Sequence, residues 1–560
     1  MFYTRRDFLK MSGCGAAASV LGAARFGLAG DAPVSAKYTR INSAGRRFHV
    51  STCCDQLDEN PDFPEIWHAA GITDVWVSTW FYGHYPFPWE KIDNFVEIVQ
   101  KAGMNPHFIC VPFCHGGGAL DPRDPGKFPN LPPKTWKMAK RFNGSENWGF
   151  SYHAPADRKL KVSSEDLVRK FGPCAFFLDD DFRFAPSPGE IGGCVCDECR
   201  AEFLKRAGLP ESRWDELVGD WSERRDTPLI RSWCDYVCDK LTACFRMTAD
   251  HVSGIDLGIM VMFMGSERAG IRLPDYSGHL MRVGEMMFSD SWFDQDRNKT
   301  RELFSSLFHA RYGEPGRLFS ETTVYPEGTL SCENMAAKLA VSTFSDVRNT
   351  MFMSGLRAIP ADFWPALSER AQKEKAFHDR LVGRCPVGPF KHFWGMADRY
   401  MPSDEAYSLF LATGVPFEVC GSVPKDGWTF LGDASACEMD RGELESAGSK
   451  CLARIASESG RFARLPESYE DLFRFRRSLL PELRQGGIPF VEEEVPVVLG
   501  WYPEDTARSA NGAKPCDLLL LWNISKKEAQ TVHVRVGEKS AAVSVAPLQT
   551  ELVEASAILS

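Results

Sequence analysis

Residues Ala175–Arg183, with the sequence AFFLDDDFR, decide the fold of this 560-residue chain. Four apolar residues run directly into Asp179, Asp180 and Asp181. A short, continuous apolar run is typical of a strand that is buried on both faces. Burying unpaired carboxylates is costly, so the three acids should face water, a cation or a ligand. At the carboxyl end of a barrel strand they would point into an active-site mouth, whereas in another fold they could form a solvated acidic loop.

Eight short apolar runs, this one included, lie between about residues 45 and 385, and amphipathic helical stretches separate most of them. This repeated alternation of strand and helix predicts an α/β fold, a (β/α)8 barrel. The predicted strands are 48–52, 74–79, 106–111, 175–178, 257–263, 285–290, 317–321 and 350–353. The predicted helices are 89–102, 164–171, 229–253, 300–312 and 333–347. Insertions at 116–161 and 181–231 follow strands and should lie on the catalytic face.

The pattern changes after about residue 384, which predicts two further domains beyond a barrel of residues 37–385. Residues 386–487 contain short strands between helices, which indicates a small open α/β domain. Its predicted strands are 389–391, 414–419 and 428–431. Residues 488–560 alternate apolar and polar side chains, which predicts an antiparallel β-sandwich with half-buried strands. Its predicted strands are 518–522, 531–536 and 542–545.

The first residues have the pattern of an export signal. Residues 4–10 read TRRDFLK, and an Ala/Gly-rich, weakly apolar run follows to about Gly30. Arg5 and Arg6 match the twin-arginine signal, with a basic N-terminal helix as the alternative. We therefore expect residues 1–36 to be a signal peptide and the mature protein to be periplasmic or secreted. No later stretch has the length of apolar sequence that a membrane span needs.

The overall composition excludes some partners. The net charge is −10, and no basic stripe exists that could neutralise phosphates, so nucleic acid is not an expected partner. Aromatic residues make up 12% of the chain and include 15 tryptophans. This content suits a protein that stacks on the flat faces of sugars, although large cores also collect tryptophan. No motif for a phosphate or an organic cofactor is present, so none is predicted.

Glu321 ends the seventh apolar run, directly after Leu318, Phe319 and Ser320. A lone carboxylate in this position needs a partner or a chemical role. Together with an acid from the fourth strand it provides two carboxylates at one barrel mouth, which is the minimum for cleaving a glycosidic bond. The alternative is a salt bridge at the barrel rim with Arg268 or Arg183.

Three closely spaced cysteines indicate a metal site. They are Cys194, Cys196 and Cys199. Three thiolates need one further ligand to close a tetrahedral zinc site. We expect Cys114 to supply it, with Cys110 or His115 as substitutes, and we expect the zinc to be structural. Free or disulfide-bonded cysteines are the alternative.

Aromatic and polar residues that follow the barrel strands are candidates for sugar binding. The loop after the second strand is rich in aromatic rings, although core packing explains about half of these equally well. The candidate substrate-binding residues are Asp179, Arg183, Trp80, His84, His115, Asp290, Trp292 and Trp364.

These motifs resemble glycoside hydrolases of clan A, and more closely the β-galactosidases of glycoside hydrolase family 42. The residues that carry the resemblance are Leu178-Asp179-Asp180-Asp181, the three cysteines and Glu321. The resemblance implies that Asp181 is the general acid/base, that Glu321 is the nucleophile and that Asp180 contacts the substrate. It also implies zinc bound by the cysteines with an earlier cysteine, an amidotransferase-like domain, a small β domain, and a homo-oligomer, namely a trimer.

The chain departs from that family at one position of the site. The family has Asn-Glu where this sequence has Asp180-Asp181, so the proton donor is shorter by one methylene group. We therefore expect its carboxyl group to lie farther from Glu321 than in a typical retaining enzyme. The sequence predicts an exported glycoside hydrolase that acts on oligosaccharides from a plant or algal glycan. The alternatives are a non-catalytic carbohydrate-binding barrel, or a lyase or epimerase that uses the Asp cluster with a divalent cation.

Overall fold

The computed structural model describes most of the chain from residue 40 onward. The described residues are 40–81, 87–112, 137–147, 153, 156–179, 182–185, 190–261, 264, 266–283, 287–355, 357–395, 398, 400, 408–438, 450–454, 462–505 and 512–560. The predicted signal peptide therefore lies outside the described residues.

Eight parallel strands close into a barrel in which each strand pairs with its neighbours in sequence and the first pairs with the last. The strands are Arg47–Thr52, Asp74–Phe81, Asn105–Val111, Cys174–Leu178, Ile255–Val261, Leu280–Val283, Leu318–Thr323 and Asn349–Met353, called strands 1 to 8 below. The predicted (β/α)8 barrel is thus confirmed, and seven of its strands overlap the apolar runs of the sequence.

The sixth strand is a correction. It spans Leu280–Val283, earlier than the predicted run 285–290, and a short helix begins at Asp290. Arg282 stands in the middle of this strand and is fully buried. A buried arginine interrupts the apolar run by which buried strands are detected, and this shifted the prediction toward the apolar residues that follow.

Helices surround the barrel after most strands. They are Gln56–Glu59, Phe63–Ala69, Trp89–Lys101, Ala156–Phe171, Asp197–Ala207, Arg213–Ser222, Pro228–Ala249, Asp290–Phe293, Asp296–His309, Cys332–Ala337, Leu339–Ser345 and Trp364–Leu381. Two 3-10 turns, Ser266–Ala269 and Leu273–Tyr276, lie between strands 5 and 6. The predicted helix 333–347 consists of two helices that are separated at Lys338.

Aromatic side chains pack against one another inside the barrel. Trp76, Phe177 and Phe319 contact one another, with ring centroids 4.6 to 5.7 Å apart. Gly258 leaves room for this layer, because a Cβ atom there would lie 2.5 Å from the ring of Phe177. These rings pack part of the barrel interior, and in barrels of this kind the active site lies at the carboxyl ends of the strands.

A five-stranded parallel sheet follows the barrel. Its strands are Phe390–Phe393, Phe417–Cys420, Trp428–Leu431, Lys450–Ala453 and Ala463–Arg464, and in sheet order they run second, first, third, fourth, fifth. This is the order of a flavodoxin-like doubly wound sheet. Helices Asp433–Glu438 and Tyr469–Gln485 accompany it. The predicted open α/β domain is confirmed.

The C-terminal part consists of two three-stranded antiparallel sheets. Their strands are Phe490–Val491, Val497–Tyr502, Leu518–Asn523, Gln530–Val536, Lys539–Val545 and Thr550–Glu554, and helix Ala555–Leu559 ends the chain. Strand Leu518–Asn523 is buried along its whole length rather than half-buried as predicted. Its Trp522 lies 6.4 Å from Phe344 of the barrel helices, so this strand is covered on a second face. Among the described helices, none combines the length and the apolar character of a membrane span.

Candidate active site and metal centre

Glu321 lies inside the barrel near its carboxyl end. It is the fourth residue of the six-residue strand 7, so the strand continues for two residues beyond it instead of ending there as predicted. Its side chain is only 4% exposed. The hydroxyl of Thr323 donates to Oε1 at 2.8 Å, and Nε of Arg282 lies 3.2 Å from Oε2. Both carboxylate oxygens therefore have a fixed partner.

Arg282 of strand 6 is the cation of this site, and the sequence analysis did not identify it. Its side chain is fully buried, and its guanidinium carbon lies 5.7 Å from the ring centre of Phe177. The sulfur atoms of Met260 and Met351 lie 3.0 and 3.3 Å from its terminal nitrogens. The only sequence signal for it is an isolated arginine between apolar neighbours in a barrel-strand position.

Asp179 is the second carboxylate that Arg282 contacts. It directly follows strand 4, and its backbone N–H donates to the carbonyl of Cys110 at 2.7 Å. Nη2 of Arg282 donates to Asp179 Oδ1, and the Asp179 side chain is 13% exposed. One guanidinium thus joins carboxylates from strands 4 and 7, which were predicted to meet at the barrel mouth.

The two acids after Asp179 were predicted to carry out the catalysis. Asp180 and Asp181 lie outside the described residues, so their distance from Glu321 stays a prediction.

Asp179 and Glu321 carry two negative charges against the one positive charge of Arg282. Charge-assisted hydrogen bonds of this kind are stronger and more directional than neutral ones, and they hold the carboxylates in one orientation.

Two tryptophans of the predicted sugar site lie in the core instead. Trp80 is 1% exposed and Trp364 is 2% exposed, and both belong to the main hydrophobic core. The ring of Trp364 packs edge-on against Phe352 at 5.5 Å. This placement corrects the prediction that they stack on substrate, since neither indole face reaches solvent.

Two polar candidates hold loops together. Nε of Arg183 donates to the carbonyl of Ala185 at 2.8 Å, and the side chain is 4% exposed. Asp290 accepts from the backbone and hydroxyl of Ser331 and from the amide of Asn334 at 2.7 to 3.0 Å. Burial alone would raise the pKa of Asp290, but these hydrogen bonds outweigh it and the pKa is lowered. The structure therefore shows hydrogen bonds between both residues and the loops around them, and their role in substrate binding stays a prediction.

The remaining substrate-binding candidates divide into two groups. Trp292 lies on the short helix after strand 6, and 45% of it is exposed. His84 and His115 lie outside the described residues.

Arg268, named as an alternative partner of Glu321, donates to the carbonyl of Tyr400 at 2.9 Å, while the ion pair seen for Glu321 is with Arg282.

The three cysteines meet around a histidine. Ligand atoms of His153, Cys194, Cys196 and Cys199 all lie within 4.8 Å of one another. Nε2 of His153 is 3.2 Å from the sulfur of Cys194, 3.9 Å from that of Cys196 and 3.8 Å from that of Cys199. Sequence analysis missed His153, because it lies 41 residues before Cys194 in a long insertion.

The predicted fourth ligands are placed differently. Cys110 packs in the main hydrophobic core within strand 3 and does not join this cluster. Cys114 and His115 lie outside the described residues. The described fourth donor is therefore the imidazole of His153, which gives a three-thiolate, one-imidazole set.

The donor set fits zinc. A tetrahedral ion with zinc–sulfur bonds of about 2.3 Å places its ligand atoms somewhat less than 4 Å apart, which is close to the observed spacing. A hydrogen bond from Cys199 lowers the pKa of Cys194 to about 3, against the effect of burial, and a hydrogen bond from His153 contributes in the same direction. Thiolate is the form that binds metal.

The cysteine cluster connects the two insertions that follow strands 3 and 4. The backbone N–H of Lys140 donates to the sulfur of Cys194 at 3.3 Å, and Val195 N–H donates to the carbonyl of Lys140 at 2.9 Å. Lys140 belongs to a short hairpin, Ala139–Lys140 and Glu146–Asn147, in the first insertion. A metal at this position would fasten the loop after strand 3 to the loop after strand 4, which carries the Asp cluster.

Comparison with solved structures shows which proteins share this fold. A β-galactosidase from Bacillus circulans sp. alkalophilus superimposes with a TM-score of 0.53 at 10% identity, over 92% of this chain and 100% of that one. An α-L-fucosidase isoenzyme 2 from Paenibacillus thiaminolyticus gives a TM-score of 0.51 at 11% identity, over 88% and 93%. A β-galactosidase from the psychrophilic Marinomonas ef1 gives 0.50 at 11% identity, over 91% and 100%.

Sequence comparison adds nothing to this, because no protein-family profile and no curated protein matches the chain. The three structural matches extend over the barrel and the domains that follow it. The chain therefore has the fold of barrel glycoside hydrolases. At 10 to 11% identity the matches concern the fold and not the substrate.

Proposed function

We propose that this protein is a glycoside hydrolase in which Glu321 and Asp181 act on opposite sides of the glycosidic bond. The observation that carries the proposal is the buried carboxylate of Glu321, which lies inside the barrel and is bound by Arg282. Burying a carboxylate inside the barrel costs folding free energy. A catalytic role at the carboxyl end of the barrel would explain why Glu321 is buried there.

The proposed mechanism assigns one step to each acid. Asp181 protonates the oxygen of the leaving group, while Glu321 attacks the anomeric carbon or activates a water molecule. Asp180 contacts a hydroxyl of the sugar that is cleaved. Arg282 stabilises the charged form of Glu321 and fixes its orientation through the Nε contact of 3.2 Å. Asp179 balances the charge of the guanidinium and connects it to the strand that leads to Asp180 and Asp181.

The metal centre has a structural part in this proposal. His153, Cys194, Cys196 and Cys199 would hold zinc as a closed four-ligand site, which leaves no open position for substrate. Bound zinc would supply folding free energy to the loops that frame the site. The residues of the chain, and not the metal, carry out the proton transfers.

The arrangement of Asp179 favours hydrolysis over the alternative of a cation-dependent lyase. A hard cation would need several carboxylate oxygens of the Asp cluster. Oδ1 of Asp179 instead accepts from Arg282, so the first acid of the cluster is already paired with a cation of the protein.

The proposal is tested by a screen on nitrophenyl glycosides and polysaccharides with the mature chain and with its Glu321→Gln variant. We expect turnover of at least one substrate class by the wild type and none by the variant. EDTA should not abolish turnover acutely if the metal is structural. Cleavage that requires added calcium or magnesium and survives Glu321→Gln would support the lyase instead.

A further inference from the structure

Lys338 is a buried lysine that the proposed mechanism does not use. It stands between the helices Cys332–Ala337 and Leu339–Ser345, and only 2% of it is exposed. Burial lowers the pKa of its ammonium group well below the usual range of a lysine. Because burying an ionisable group costs folding free energy, the contacts of Lys338 indicate what it stabilises in return.

The ammonium group of Lys338 binds two backbone carbonyls at the carboxyl ends of neighbouring strands. Its Nζ donates to the carbonyl of Thr323 at 2.9 Å and to the carbonyl of Met287 at 2.9 Å. Thr323 is the last residue of strand 7, the strand of Glu321. Met287 lies in the segment after strand 6, the strand of Arg282. One side chain thus joins the ends of the two strands that carry the ion pair.

Backbone pairing explains why the carbonyl of Thr323 needs this donor. Within the described part of the chain, pairing between strands 6 and 7 ends at Ser320. The N–H of Val324 donates to the carbonyl of Met353 in strand 8 at 3.1 Å. In a trans peptide group the carbonyl points away from the N–H, so the carbonyl of Thr323 points toward strand 6. Lys338 supplies the donor on that side, where a buried carbonyl would otherwise lose a hydrogen bond.

The side chain of Thr323 connects this backbone contact to Glu321. Its hydroxyl donates to Oε1 of Glu321 at 2.8 Å, and Thr323 is 5% exposed. The position of a short side chain follows from the backbone that carries it. Lys338 and strand 8 bind the peptide group of Thr323 from opposite sides, so they fix the position from which the hydroxyl reaches Glu321.

We infer that Lys338 is a positioning residue, which orients the carboxylate of Glu321 through Thr323 and does not touch the substrate. This inference rests on the proposed hydrolase function. Arg282 contacts one oxygen of the carboxylate, and Thr323, held by Lys338, contacts the other. Fixed contacts on both oxygens keep a reacting group in the geometry that its reaction needs.

The test is a double-mutant cycle in the mature chain. Lys338→Met keeps the length of the side chain and removes its donors, whereas Lys338→Gln keeps one amide donor. Thr323→Val keeps the shape of threonine and removes the hydroxyl. Each Lys338 variant is made with Thr323 and with Thr323→Val. The control is Lys101→Met, which removes a lysine that is 71% exposed and paired with Glu97. Thermal unfolding identifies the folded variants, and kcat and KM are measured across pH on a substrate from the screen.

We expect Lys338→Met to lower kcat about tenfold to a hundredfold with little change in KM. The acid limb of kcat/KM should move to higher pH, because Glu321 loses an oriented donor that stabilises its charged form. The charged neighbours of Glu321 seen in the structure, Arg282 and through it Asp179, are the same in all variants. In the Thr323→Val background Lys338→Met should have no further effect, since both changes act through one hydrogen bond. Lys101→Met should match the wild type.

Two results would overturn the inference and leave the hydrolase proposal intact. One is a folded Lys338→Met with the kcat and the acid limb of the wild type. The other is an equal loss of kcat with Thr323 and with Thr323→Val, which would show that Lys338 acts on stability or on another group. If Lys338→Met does not fold, Lys338→Gln is judged by the same two criteria. If the wild type cleaves no glycoside, both proposals fall.

Discussion

Arg282 contacts Glu321 at 3.2 Å between Nε and Oε2, inside a barrel whose interior also holds the packed rings of Trp76 and Phe177. Met260, Met351 and Phe177 surround the guanidinium of Arg282, and the hydroxyl of Thr323 donates to the other carboxylate oxygen of Glu321. Arg282 is fully buried, so in the proposed mechanism it would position the carboxylate of Glu321 rather than bind the substrate.

The Arg282→Lys variant should separate the effect of the guanidinium's geometry from the effect of its positive charge. Lysine keeps the positive charge but offers no planar fork, so it cannot bind Glu321 and Asp179 in the same geometry. We expect kcat to fall about a hundredfold, in the range found for the loss of one oriented donor, with a smaller change in KM. Steady-state kinetics on a substrate from the screen measures this, and the exposed Arg380→Lys is the control. A variant with wild-type kcat would show that Arg282 is only structural.

The two proposed catalytic acids should respond differently to substrate chemistry. Glu321→Gln should abolish turnover of every substrate, because the amide can neither attack nor accept a proton. Asp181→Asn should slow substrates with poor leaving groups most, since these need protonation. The exposed Glu333→Gln is the control. Wild-type hydrolysis by both variants would exclude this pair of acids.

The anomeric form of the first product tests the spacing of the same acids. Retaining enzymes hold their carboxyl groups about 5–5.5 Å apart and inverting ones about 6.5–9.5 Å apart. The shorter Asp181 moves the proton donor away from Glu321, so we expect a separation at or beyond the upper end of the retaining range. Nuclear magnetic resonance of a fresh digest distinguishes the two outcomes, and clean retention would argue for a close approach despite the shorter side chain.

The metal centre gives a prediction about ligand identity. Purified protein should contain about one zinc per chain by the four-ligand rule. Cys196→Ser and His153→Gln should each lower the zinc content and the melting temperature, whereas the exposed Cys516→Ser should change neither. Elemental analysis and thermal unfolding measure both quantities. If His153→Gln keeps its full zinc content and Cys114→Ser loses zinc, then Cys114 is the fourth ligand, as the sequence predicted.

The sequence predicted the elements of the fold well because each buried strand leaves a continuous apolar run. It failed at strand 6, where Arg282 replaces an apolar side chain and takes its partners from strands 4 and 7. Asp179 after strand 4 is 103 residues away along the chain and Glu321 of strand 7 is 39 residues away, so only the closed barrel brings them together.

The candidate site was harder to predict for the same physical reason. A tryptophan after a strand has the same local sequence whether its ring faces the mouth or the helices, and Trp80 and Trp364 face the core. His153 and the cysteines approach each other only through the hairpin of the first insertion. Contacts between distant segments depend on loop geometry, which periodicity does not encode.

Export through the twin-arginine pathway remains a proposal that the first residues support. Changing Arg5 and Arg6 to Lys together should leave the precursor in the cytoplasm with its signal attached. Fractionation and the mass of the N-terminal peptide measure the outcome. Lys10→Arg, which keeps the pair intact, is the control. Normal maturation of the double variant would reject the assignment.

His392 gives a prediction about stability and pH. This residue lies in the first strand of the flavodoxin-like sheet, where its ring stacks on Phe410 at 5.5 Å and meets Phe304 at 4.1 Å. Both ring nitrogens are buried without a hydrogen-bond partner in the described structure. Burial, assisted by the positive charge of Arg311, lowers the pKa of His392 to about 3.

The unfolded chain therefore binds a proton at this histidine between about pH 6.5 and 3 while the folded chain does not, so stability is lost as the pH falls through that window. The slope from this one group is about 1.4 kcal/mol per pH unit. His392→Phe keeps the stacked shape and removes the titration, so it should be at least as stable at pH 7.5 and about 2 kcal/mol more stable relative to wild type at pH 5. Urea unfolding at both pH values measures the difference, with the exposed His68→Phe as the control. An unchanged pH dependence in His392→Phe would mean that this imidazole becomes protonated in the folded protein.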